Sequence, residues 1–87
     1  MAPRASLLTE QQARTLRALL GGTRTRADLA SVLGIRLGTL DQRLRALEAQ
    51  GHVSHDERRR YQITRAGRDV LARHTRKVRA KYGGWAA

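Results

Sequence analysis

The side chains best equipped for chemistry in this sequence are arginines. Of 18 basic residues, all but Lys77 and Lys81 are Arg, and they face only seven Asp and Glu. The formal net charge is +11 in a chain of 87 residues. A guanidinium forks onto phosphate or onto the O6/N7 edge of guanine, and a glutamine amide can do the same for adenine. Charge of this density draws polyanions. Nucleic acid is therefore the expected partner class, ahead of a membrane surface or an acidic protein.

Other chemistries lack their residues. Cysteine is absent, which removes disulfides, thiol catalysis and the usual Cys-based zinc site. His52 and His55 are three apart, a spacing that puts them on opposite faces of a strand, and no third ligand cluster accompanies them. No metal is expected. The carboxylates Glu10, Asp28, Asp41, Glu48, Asp56, Glu57 and Asp69 mostly fit caps, ion pairs or a loop tip. No Ser/His/Asp set, P-loop or Gly-rich nucleotide fingerprint occurs, so neither catalysis nor a cofactor is expected. Phe is absent, and Tyr61, Tyr82 and Trp85 are too few for a base-stacking sheet. No apolar run approaches the roughly 20 residues of a membrane span. Met1–Ser6 lacks the apolar stretch of a signal peptide. A cytoplasmic, nucleoid-associated location is the expectation.

The elements that must position these side chains are legible from caps and periodicity. Thr9 and Gln12 form a capping box, and Ala13, Leu16, Leu19 and Leu20 follow at helical spacing before Gly21-Gly22. Thr25 begins a second helix, whose expected buried stripe is Leu29, Val32 and Leu33 and whose stop is Gly34. A third helix spans about 37–50, with Leu40, Leu44 and Leu47 as one narrow apolar face and Gly51 as its stop. Helix, short Gly-containing turn, helix is the layout of a helix-turn-helix. Val53, then a polar tip from Ser54 to Arg60, then Tyr61 and Ile63 read as a two-stranded hairpin with a loop longer than two residues. Thr64 caps a fourth helix, expected to reach about Lys81 and to bury Ala66, Val70, Leu71, His74 and Val78. Residues 1–8 read as a flexible arm, 9–81 as one folded domain and 82–87 as a tail carrying Trp85.

The run from Leu29 to Val53, followed by Arg58 to Leu71, resembles the winged helix-turn-helix of bacterial transcription regulators, broadly of MarR type. The shared marks are Leu29-Ala30, Leu33-Gly34, Leu40, Leu44, Leu47-Glu48, Gly51-His52-Val53, Tyr61-Gln62-Ile63-Thr64 and Gly67. The resemblance implies a mainly α fold: a three-helix core, a small β-hairpin wing and a C-terminal helix. Where the family usually has Ser or Thr at the cap of the third helix, this chain has Arg36.

The resemblance also implies that the third helix enters a DNA major groove. With Leu40, Leu44 and Leu47 on the core, Gly38, Gln42, Arg45 and Ala49 point directly away, Asp41 flanks one side, and Thr39 and Arg43 flank the other. Gly38, Thr39, Asp41, Gln42, Arg43 and Arg45 are the candidate base readers, with Gln42 first. Asp41 and Arg45, four apart, could instead pair with each other. Arg58, Arg59 and Arg60 on the wing are candidates for backbone or minor-groove contact, as are Arg24, Thr25, Arg26 and Arg36 at helix starts.

The expected function is sequence-specific binding of double-stranded DNA by a small transcription regulator, a repressor. One module covers only about 600–1,000 Å² of DNA-facing surface, which favours a homodimer through the last helix, or tandem sites, while control falls to abundance or to a protein partner. Two other readings share the charge: a sequence-indifferent DNA- or RNA-coating protein, and a winged-helix protein-interaction module.

Overall fold

The computed structural model describes residues 8–82, with side chains through 78. The expected arm before Leu8, the side chains of Arg79 and Lys81, and the Trp85 tail lie outside the described residues. The chain forms α1 (Glu10–Leu19), β1 (Arg24–Thr25), α2 (Arg26–Leu33), α3 (Leu37–Ala49), β2 (Val53–His55), β3 (Arg60–Ile63) and α4 (Arg65–Tyr82). All four helices stand where the periodicity places them.

Local chemistry explains the boundaries. The Thr9 hydroxyl accepts from the Gln12 amide and the Gln12 side chain accepts from the Thr9 amide, so both halves of the capping box are made. Thr25 caps α2 by accepting from the Asp28 amide. Gly34 takes the left-handed conformation at the end of α2, with φ 68°, which lets the chain turn within two residues into α3. Thr64 ties two elements together. Its hydroxyl donates to the Gly51 carbonyl at 2.6 Å and accepts from the Gly67 amide at 3.0 Å.

Three strands form the sheet, in the antiparallel order β1-β3-β2. The sequence reading has only the β2–β3 hairpin. The added strand is the two residues before α2, paired as Arg24 with Tyr61 and Thr25 with Arg60. Two residues cannot display a period of two; β1 exists because β3 offers it a free edge. The wing loop is longer than two residues, as expected. The Arg59 amide donates to the Asp56 carbonyl, the Asp56 amide to the Arg60 carbonyl, and Arg59 sits at φ 60°.

The core is aliphatic. Leu16, Leu19, Leu29, Leu40, Leu44, Leu47 and Val70 are its largest fully buried apolar side chains, closed by Val53, Ile63 and Leu71. Leu8, at the end of the expected arm, is also buried there. Four apolar expectations fail. Val32 is 55 % exposed and Leu20 is 51 % exposed. The inner side of the short helix α2 is Leu29 and Ala30, with Leu33 at its edge; Leu20 is already the C-cap of α1. On α4, Ala66 and Val78 are exposed, and Gly67 takes the inner position. A Cβ on Gly67 would stand 2.1 Å from the His52 carbonyl oxygen. Only glycine lets α4 approach the strand entry so closely.

Candidate nucleic-acid interface

The outer side of α3 carries the residues that the helical periodicity places there. Gly38, Gln42, Arg45 and Ala49 are all exposed and follow one line down the helix. Thr39 and Arg43 lean the other way from the wing and share a shallow groove with Thr9, Gln11 and Gln12 at the start of α1. Asp41, Arg45 and Glu48 face the sheet across a second groove, walled by Arg26, His55, Arg59 and Tyr61. Arg45 of α3 and Arg59 of the wing therefore look into the same space.

Charge pairing sorts the candidates. Asp41 does not pair with Arg45. Its two carboxylate oxygens accept from Nε and Nη2 of Arg26 at 2.7 and 2.8 Å. The hydrogen bond from Arg26 holds the Asp41 carboxyl below its ordinary range, and the same bond raises Arg26. Fifteen residues of sequence separate the two, so helical spacing could not expose the pair. Arg45 is left without a carboxylate partner among the described residues.

At the other helix starts, Arg24 is already engaged, its Nε donating to the Ala18 carbonyl at 2.9 Å. The Thr25 hydroxyl is taken by the cap of α2. Arg36 is exposed and makes no side-chain cap for α3. A guanidinium has no acceptor for the first amides of the helix, so they keep their attraction for an anion.

The wing is organised by one carboxylate. Asp56 Oδ1 accepts from the amides of Arg58 and Arg60, and Oδ2 lies 3.5 Å from the Arg60 guanidinium. These bonds, that from the Arg60 amide first, keep Asp56 below its ordinary range. Arg60 is thus tied into the turn. The guanidiniums of Arg58 and Arg59 are exposed and have no carboxylate partner among the described residues.

The two histidines diverge. His55 Nδ1 pairs with Glu48 Oε2 of α3, and its ring tilts against Tyr61 with centroids 5.4 Å apart. His52 is half-buried with its Nδ1 unpartnered; burial first, and Arg73 second, lower its pKa. Glu48, His55 and Tyr61 form a wall between α3 and the wing that the sequence reading missed. The i, i+7 offset between a helix end and a strand gives no periodic signal for it. Leu37 was also missed as a surface residue. It prolongs the Leu40–Leu44–Leu47 stripe by one turn, beyond the reach of the core, and is 43 % exposed.

No protein-family model matches the sequence, and neither does any curated protein. Solved structures do. Lactococcus lactis ZitR is similar at 24 % identity, with 86 % of this chain and 56 % of that one covered and a TM-score of 0.70. The M. tuberculosis transcriptional regulator MosR, crystallised in complex with DNA, is similar at 28 % identity, with 94 % of this chain and 70 % of that one covered and a TM-score of 0.74. The chain thus spans little more than half the length of ZitR. The chain shares the overall fold of these neighbours and, with its helix-turn-helix and small three-stranded sheet, is a winged helix-turn-helix domain.

Proposed function

We propose that the domain binds double-stranded DNA in a sequence-specific manner and regulates transcription as a repressor that occupies its site. One observation carries this reading: Arg45 on the outer line of α3 and Arg59 on the wing look into a single groove, both free of carboxylate partners among the described residues. A helix seated in a major groove with an adjacent wing on the backbone needs cations in those two places. The neighbour crystallised with DNA has the same fold.

Within this reading, Gln42 and Arg45 read base edges, with Gly38 allowing close approach. Thr39 and Arg43 lie on the flank toward α1. Arg36, Arg58 and Arg59 hold phosphates or a minor groove. Asp41 and Arg26 act as a pair that fixes α3 against the start of α2, while Arg24 holds the Ala18 carbonyl and Arg60 the Asp56 carboxylate of the wing turn.

Selection of bound sites from a random duplex pool, at near-physiological salt, tests the proposal. The expected result is an enriched motif, and Gln42→Ala should lose about 1–3 kcal/mol of preference at one base position. Binding that yields no motif and vanishes as salt rises would replace specific regulation with charge-driven coating.

A further inference from the structure

A groove on another side of the domain shares none of the interface residues. It runs between the C-terminal end of α1 and the middle of α4. Leu20, Leu71, Ala72 and Thr75 form its floor, and Arg17, Arg68 and Arg76 stand around it. Leu71, Thr75 and Val78 follow one another at i, i+4 and i+7 on α4, so the stripe continues along the helix. Leu20 is half exposed and Val78 is 38 % exposed, although each could have been a polar residue at no cost to the core.

We infer that this groove is a docking site for an acidic amphipathic helix of a partner protein. An apolar floor between cations fits a helix with an aliphatic stripe flanked by Asp and Glu. The two obvious competitors fit less well. A DNA backbone would satisfy the arginines but leave Leu20 and Val78 uncovered. A second copy in a two-fold contact would bring three further arginines to the same apolar floor, in a chain already at +11. Only Glu10, at 3.7 Å from Arg17, reaches this rim among the described carboxylates, and an exposed pair of that length offsets little. Asp69 lies on α4 but lines no part of the groove. The partner would bind while α3 and the wing hold DNA, which gives a single small module the added contacts it needs.

The probe is a fluorescein-labelled peptide of about five helical turns, with Leu at i, i+3, i+4 and i+7 spacing and Glu on both flanks. Its isomer of the same composition, with the leucines dispersed, is the control. Anisotropy with the full chain at about 0.15 M salt should show the amphipathic peptide binding about tenfold tighter than the isomer. Leu20→Ser and the double variant Arg68→Gln/Arg76→Gln should each remove most of that difference. Leu20→Ser should leave affinity for a selected DNA duplex unchanged. Equal binding of the two isomers would overturn the inference. So would a loss of DNA affinity in Leu20→Ser, which would make the groove a DNA surface. A concentration-dependent dimer in sedimentation that Leu20→Ser dissolves would assign the groove to a second copy.

Discussion

At Arg59 and Gly67 the backbone bears directly on which residue the position can hold. Arg59 sits at φ 60° in the wing turn, a conformation that costs a side-chain-bearing residue about 1–2 kcal/mol and glycine almost nothing. The Asp56 bonds to the Arg58 and Arg60 amides hold the turn in spite of it. Arginine there sacrifices stability in exchange for a cation at the wing tip. Arg59→Gly should therefore raise stability in a denaturant titration by about 1 kcal/mol. It should also weaken DNA binding and flatten the log–log salt slope by about 0.9 for the one phosphate lost. A variant that is more stable and binds DNA unchanged would remove Arg59 from the interface. Gly67 is the opposite case. A methyl there meets the His52 carbonyl oxygen at 2.1 Å and Ile63 Cγ1 at 2.8 Å. Gly67→Ala should cost about 3 kcal/mol in the same titration, since backbone on one side leaves little room to yield. The sequence marks Gly67 by its place in a motif; the reason for it lies 15 residues away in the fold.

Among the elements, α3 was the most legible. A strict 3.6-residue stripe on a helix of three to four turns fixes which side chains point outward, and Gly38, Gln42 and Arg45 are where that rule places them. Its flank was not legible, because the choice of partner for Asp41 depends on where α2 begins. The Arg26–Asp41 pair leaves a carboxylate facing the ground that DNA would occupy, neutralised by a residue that helps to position the helix. Asp41→Ala should raise affinity for random-sequence duplex, since a negative charge leaves the binding face. It should also narrow the ratio of specific to random binding, since α3 loses a brace. Competition titration with the two duplexes measures both, and a ratio that stays constant would deny the pair any positioning role. The sheet illustrates the converse: β2 and β3 announce themselves by alternation, whereas β1 is too short to do so and forms only by pairing with β3.

At the scale of the whole molecule, the half-buried His52 links packing to pH. Burial and the nearby Arg73 hold its pKa below the ordinary 6.5, so the folded state favours the neutral ring. Above 6.5 both states are neutral there and the contribution is fully present. As pH falls below 6.5 the unfolded chain takes up a proton that the folded chain resists, and stability is lost until the folded pKa is passed. His52→Leu should reduce the decline of the denaturation midpoint between about pH 7 and pH 5 relative to the parent chain. Identical pH profiles for the two proteins would assign the decline to other groups. The net charge acts at this scale too, because it governs attraction to any polyanion and repulsion between copies whatever the details of the fold.

The sequence by itself determined the helices, their caps and the outward line of α3, because caps and 3.6-residue periodicity are settled within a few neighbouring residues. It also determined the polyanion-seeking charge, which requires no geometry. The tertiary structure alone decided that Arg26 takes Asp41, that Arg24 turns to the Ala18 carbonyl, and that Glu48 meets His55. It alone left Leu20 and Val32 in solvent, because apolar residues are buried only as far as neighbouring elements extend over them. Hydrogen bonds and burial between elements depend on crossing points and lengths that no local stretch of chain contains.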